Sequence, residues 1–127
     1  MGWTCAIIII FMKRQYYIPN QGDIIWVNFD PVIGHEQGGF RPAVVLSTKK
    51  YHGRSNLAII CPITSRKPDF FLDIPFITSS ICGTVLTDHL RSIDYINRKI
   101  QFTGELLPQE SLQKVFFMIR GLLNIRN

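Results

Sequence analysis

Three short segments of the 127-residue chain carry side chains able to move protons or hold charge. The first is Gly34-His35-Glu36-Gln37, with Arg41 just beyond it. The second is Thr64-Ser65-Arg66-Lys67, and the third is Thr87-Asp88-His89-Leu90-Arg91-Ser92. Together they cover the roles that cutting RNA without a metal demands. A base must take the proton from a 2′-hydroxyl, and an acid must protonate the departing 5′ oxygen. Cationic or hydroxyl donors must hold the phosphate as its charge grows. Arg41 and Arg91 offer planar, permanently charged forks for that purpose, and Thr64 and Ser65 offer neutral donors. His35, Glu36 and Asp88 are the proton-transfer candidates. The nucleophile belongs to the RNA, so no activated Ser or Cys is required, and the expected ends are a 2′,3′-cyclic phosphate and a 5′-hydroxyl.

Each of these residues also has an ordinary structural explanation. Arg41, ahead of Pro42 where a strand starts, reads equally as a surface cation paired with Glu36. Thr64-Ser65 and Asp88 read as turn caps through side-chain to backbone bonds. His35 in a Gly-rich loop and Arg66-Lys67 read as solvated groups. Spacing alone does not choose between the two accounts.

The elements that must position these segments are mostly strands. Gly and Pro cut the chain into short runs rich in β-branched and aromatic residues. Strands are expected over Asp23–Phe29, Arg41–Ser47, Leu57–Cys61, Phe70–Phe76, Gly83–Leu86, Arg91–Tyr95 and Lys99–Leu106. Pro75 marks the fourth as an edge; Trp26, Phe40 and Tyr51 are possible platforms on which unpaired bases could stack, though Trp26 within a strand is more often core. The period then changes: Pro108 suits the start of a helix, and Leu112, Val115, Phe116, Ile119, Leu122 and Leu123 recur at three and four. The expected fold is mainly β with one amphipathic C-terminal helix, a small twisted barrel of SH3-like type.

Fourteen Lys and Arg against nine Asp and Glu give a net charge of +5, which favours a polyanionic partner. Cys5, Cys61 and Cys82 form no C-x-x-C pair, and the three histidines have no ligand spacing, so neither a disulfide framework nor a metal site is expected. No cofactor is expected either. Cys61 and Cys82 read as small buried hydrophobes. The opening MGWTCAIIIIF is about half of what a membrane-spanning helix needs, and its basic residues, Lys13 and Arg14, follow the apolar core rather than precede it. Met12 is a second plausible start. Residues 1–15 are therefore expected to be an appendage, and residues 16–127 a single domain with no membrane role.

Three motifs in this order, GDIIWVNFDPVIGHEQGGFRPAVVLS, CPITS and GTVLTDHLRSID, make the chain resemble the MazF/PemK/Kid family of toxin endoribonucleases from bacterial toxin–antitoxin systems. The resemblance runs from Gly22 to the C-terminal helix. It implies a cytoplasmic, homodimeric SH3-like barrel that cleaves single-stranded RNA and mRNA at short motifs. It also implies an antitoxin that lays an acidic tail into the same cleft. By likeness, Arg41 would stabilise the phosphate, Thr64 would bind it, and Glu36 would contribute to activity or RNA positioning. His35 would contact phosphate and Asp88 would act as general base, with Gln37, Ser65 and Arg91 as further RNA contacts. Two positions depart from the pattern. Leu86 stands where members closest to Kid and PemK carry an arginine read as general acid, and His89 stands where Gln is usual. The competing expectation is a non-catalytic toxin on the same fold, like the CcdB-type poisons of DNA gyrase, with its contacts on the C-terminal helix.

Overall fold

The structure is a computed structural model that describes residues 17–30 and 39–125. Its strands are β1 (Asp23–Asn28), β2 (Phe40–Val45), β3 (Leu57–Thr64), β4 (Asp73–Ile77), β5 (Cys82–Leu86), β6 (Arg91–Asp94) and β7 (Gln101–Leu106). Two helices, α1 (Lys49–Ser55) and α2 (Gln109–Leu123), and a 3-10 turn at Thr87–His89 complete it. The strands pair antiparallel in the order β4-β5-β3-β2-β1-β7, with β6 also on β3. The result is a mostly β half-barrel with a C-terminal helix, as the residue pattern implied. Pro75 lies on β4, the strand at one end of that order.

Both faces of the sheet are covered, which is why β1 reads as a nearly continuous apolar run. Successive residues point to opposite faces. Ile24 enters one cluster with Val44, Cys61, Ile63 and Val85, closed by Leu112 and Val115 of α2. Ile25 and Val27 enter the other with Ala43, Val45, Ile60 and Ile93. Burying one such side chain is worth roughly 1.5–3 kcal/mol, so two shared layers stabilise a short chain efficiently. On α2 the apolar stripe is narrower than expected. Leu122 and Leu123 are exposed, and the helix begins one residue after Pro108.

β3 is the organising strand. One edge pairs with β2, and the other is shared by β6 along Leu57–Ile60 and β5 along Ile63–Thr64. Between the pairs Ile63↔Val85 and Ile60↔Arg91, β3 advances three residues while the β5–β6 segment advances six. The three extra residues form the 3-10 turn at Thr87–His89. Thr87 is buried there, its hydroxyl donating to the Leu72 carbonyl at 2.7 Å.

Helix α1 has no counterpart in the sequence expectation. Lys49–Ser55 shows no apolar stripe, and only His52 is buried. The helix is defined by its ends. The Thr48 hydroxyl accepts from the Tyr51 N–H, and Asn56 closes the other end in the left-handed region at φ 59°.

The expected appendage over residues 1–15, and His35, Glu36 and Gln37, lie outside the described residues.

Candidate active site

Two prolines open a cleft between β2 and β3. The ladder between these strands ends at Ala43↔Pro62, and the next residue on β2 is Pro42. Proline has no N–H to give a neighbouring strand, so pairing stops and β3 turns to β5. Continuing the β2–β3 register two residues outward sets Arg41 across from Thr64. Arg41, Thr64 and Ser65 all line the resulting cleft of about 500 Å³. Its floor includes Pro42 and Ile63, its rim carries Trp26 and Phe40, and the opposite wall is Ser80–Cys82.

Each wall is held by identifiable bonds. Gly39 sits at φ +79° with its N–H on the Asp30 carboxylate at 2.9 Å, and its carbonyl accepts from the Phe29 N–H at 2.8 Å. These bonds, with Arg98 donating to the carbonyls of Asn28 and Asp30, pin both ends of the segment that joins β1 to β2. The Thr64 side is fixed by a close approach: a Cβ on Gly83 would stand 2.8 Å from Ile63 Cγ2 and 3.1 Å from the Thr64 carbonyl oxygen. Only glycine lets β5 run this close beneath Thr64. The far wall is tied to β7 through Glu105, which accepts from the Ser79 hydroxyl at 2.9 Å and the Ser80 N–H at 3.2 Å. Hydrogen bonds from Thr78, Ser79 and Ser80 hold the Glu105 carboxyl below the ordinary carboxylate range.

The polar groups in the cleft suit a phosphodiester. Arg41, half-buried, contributes a planar positive charge. The Thr64 hydroxyl accepts from the Arg66 N–H at 3.2 Å. The turn-capping role foreseen as the plain alternative is therefore present. That bond uses a lone pair of the oxygen and leaves the hydroxyl proton to be donated elsewhere. Ser65 is exposed beside it.

The third motif lies outside this cleft. Asp88 sits in the 3-10 turn, its carboxylate 3.9 Å from His89 Nε2. Arg91 pairs in register with Ile60, and its guanidinium stands 5.5 Å over the ring of Phe29. Neither is among the cleft-lining residues. Leu86 is buried in the core.

Two residues were misjudged from sequence. Trp26, expected in the core, is 37% exposed and stacks on Phe40 with ring centroids 5.6 Å apart and planes 5° from parallel. Cys82, expected to be buried, is exposed on the cleft wall. Cys61 is buried as expected, and burial, with a smaller contribution from the Asp88 charge, pushes its thiol up to about 12.

Comparison with known proteins identifies the family and the fold. A family model described as PemK-like, MazF-like toxin of type II toxin-antitoxin system matches residues 20–123. The endoribonuclease toxin MazF of Escherichia coli (strain K12) is 35% identical over 94 residues, covering 74% of this chain and 85% of that one. The crystal structure of MazF from Deinococcus radiodurans superimposes with a TM-score of 0.81 at 38% identity, covering 87% of this chain and all of that one. A MazE-MazF crystal structure from the same organism gives 0.76 at 38% identity, with the same coverage. With its half-barrel, its three motifs and its Arg41–Thr64 cleft, the chain belongs to the PemK-like, MazF-like toxins of type II toxin–antitoxin systems.

Proposed function

We propose that the chain is an endoribonuclease toxin that cuts single-stranded RNA at the Arg41–Thr64 cleft. The observation that carries this reading is the Pro42–Pro62 break, which leaves a guanidinium and a hydroxyl donor on one cleft from two separate strands. In the reaction the 2′ oxygen forms a bond to phosphorus while the bond from phosphorus to the 5′ oxygen breaks. The 2′-hydroxyl proton goes to a base, and an acid returns a proton to the leaving 5′ oxygen. Arg41 neutralises the charge that grows on the non-bridging oxygens, and Thr64 and Ser65 donate hydrogen bonds to them. His35 and Glu36 take the proton-transfer roles, and Gln37 binds RNA beside them. Asp88 and Arg91, outside the cleft, take no proton in this reading.

The chemistry needs no metal, because the nucleophile is intramolecular and the charge stabilisation comes from fixed protein groups. Purified protein should therefore cut single-stranded RNA in excess EDTA and leave 2′,3′-cyclic phosphate ends. A requirement for added magnesium, or 3′-hydroxyl ends, would overturn the reading.

The working form is a homodimer in the cytoplasm, where mRNA is available. Among the described residues, no helix is long and apolar enough to cross a membrane. The exposed Phe117, Leu122, Leu123 and Ile125 of α2 and its end provide apolar surface for a second copy to cover. The net charge of +5 suits both RNA and the acidic tail of a cognate antitoxin, which competes for the cleft. The MazE-MazF structure among its relatives supports an antitoxin partner of this kind.

A further inference from the structure

Trp26 and Phe40 are used by neither the fold nor the chemistry described so far. On β1, Ile24, Ile25 and Val27 are all buried, yet Trp26 between them is 37% exposed. Phe40, at the start of β2, is 59% exposed. Exposing two large aromatic rings side by side forgoes the burial that would stabilise the protein most. Trp26 pairs across the strands with Pro42 and Phe40 with Asn28, so the rings are diagonal neighbours on adjacent strands. Their near-parallel stack stiffens both. Both line the cleft that also holds Arg41, Thr64 and Ser65.

From this arrangement we infer that the Trp26–Phe40 pair is a nucleobase platform. A base flanking the scissile phosphate stacks on the free face of Phe40, with Trp26 packed behind as its support. The proposal rests on the endoribonuclease reading and deepens it by assigning a base subsite beside the phosphate subsite. Three features favour a base over other ligands. A flat, rigid aromatic surface matches the π-face that every nucleobase presents. Phe40 and Arg41 line the same cleft, so one strand of RNA can place a base on the ring and a neighbouring phosphate at the guanidinium. The facing wall at Ser80–Cys82 brings polar side chains and backbone to the base edge, where unpaired bases of RNA are read. A parallel aromatic pair alone is sequence-tolerant. Preference for one base would come from that wall and from Ser65.

The test uses the full chain and a single-stranded RNA that contains its mapped cut site. For binding, the 2′-hydroxyl at the cut is methylated so that the strand is held but not cleaved, and 2-aminopurine replaces each flanking base in turn. Wild-type protein should quench 2-aminopurine at one flanking position. Phe40→Leu should abolish the quench and raise KM in cleavage by roughly five- to a hundredfold, with the loss concentrated in KM rather than kcat. Phe40→Tyr, which keeps the ring, should restore both. Trp26→Phe should retain most of the quench, and the melting temperatures of these variants should stay close to that of the wild type. An unchanged quench and KM in Phe40→Leu would overturn the platform and leave the endoribonuclease reading standing. Failure of the wild type to cleave would overturn that reading and the platform with it. If Phe40→Leu weakens binding of an acidic peptide but not of RNA, the pair belongs to a protein partner and the platform is wrong.

Discussion

Polar side chains serve opposite purposes at two places in this half-barrel. Around His52, the polar groups are buried or half-buried and already hydrogen-bonded. Its Nδ1 lies 2.7 Å from the Pro19 carbonyl and its Nε2 lies 2.6 Å from the Ser47 hydroxyl. A carbonyl can only accept, so Nδ1 carries a proton and donates it to Pro19, while Nε2 is engaged with the Ser47 hydroxyl. The Ser47 oxygen in turn accepts from the Ile59 N–H at 2.8 Å, and the Tyr95 hydroxyl donates to the His52 carbonyl at 2.9 Å. This chain of bonds ties the lead into β1, the end of β2, α1, β3 and the segment after β6 into one unit. At the other end of β2, Arg41, Thr64 and Ser65 reach a cleft large enough for a ligand. A histidine is the side chain most often read as catalytic, yet His52 is consumed by structure. Chemical type alone does not distinguish a scaffold group from a working one. Whether it is enclosed within the fold or lines an open cleft does.

Arg41→Ala should break the comparison most sharply. We expect kcat/KM to fall by roughly a hundred- to a thousandfold, with the urea midpoint little changed. Arg41→Lys should recover only part of the activity, because the charge returns without the planar fork. Full activity in Arg41→Ala would remove the guanidinium from the mechanism. His52→Ala should do the reverse. Removing the imidazole takes away the Pro19 carbonyl's ring partner and one of the Ser47 hydroxyl's two bonds, and should cost about 2–4 kcal/mol in urea unfolding, while the cleavage rate per folded molecule stays near wild type. A large loss of rate in a fully folded His52→Ala protein would blur the two regions into one.

A further expected effect, confined to alkaline pH, concerns Cys61, which lies on β3 between them. Its folded thiol is raised from 9.0 to about 12, chiefly by burial. Above pH 9 the unfolded chain releases this proton while the folded chain keeps it. The stabilising contribution is therefore whole below about pH 9 and is lost progressively as pH rises toward 12. Melting curves across that window should fall more steeply for wild type than for Cys61→Ala. Parallel slopes would mean that this thiol does not report the core.

Much of the architecture was written locally. The seven strands and the amphipathic tail follow from β-branched runs, Gly and Pro punctuation and a change of period, because each depends on neighbours a few residues away. Helix α1 escaped because only its caps and one buried histidine define it, and neither leaves an apolar stripe. Arg41, Thr64 and Ser65 were visible by residue type and by family likeness, and Pro42 and Pro62 stood beside them without their joint meaning being evident. Trp26 and Cys82 were misplaced for a common reason. Sequence places a side chain on one face of a strand or the other, but what covers that face is decided by strands distant in the chain.

The sequence by itself determined the strand and helix content, the basic charge and the residue types available for cutting a phosphodiester, since these depend on composition and short-range spacing. Only the tertiary structure decided that two prolines on neighbouring strands end the same ladder, that Arg41 and Thr64 therefore share a cleft, and that Asp88 and Arg91 stand outside it. Strand register and the divergence of paired strands are properties of segments far apart in the chain, and hydrogen-bond geometry between them has no local signature.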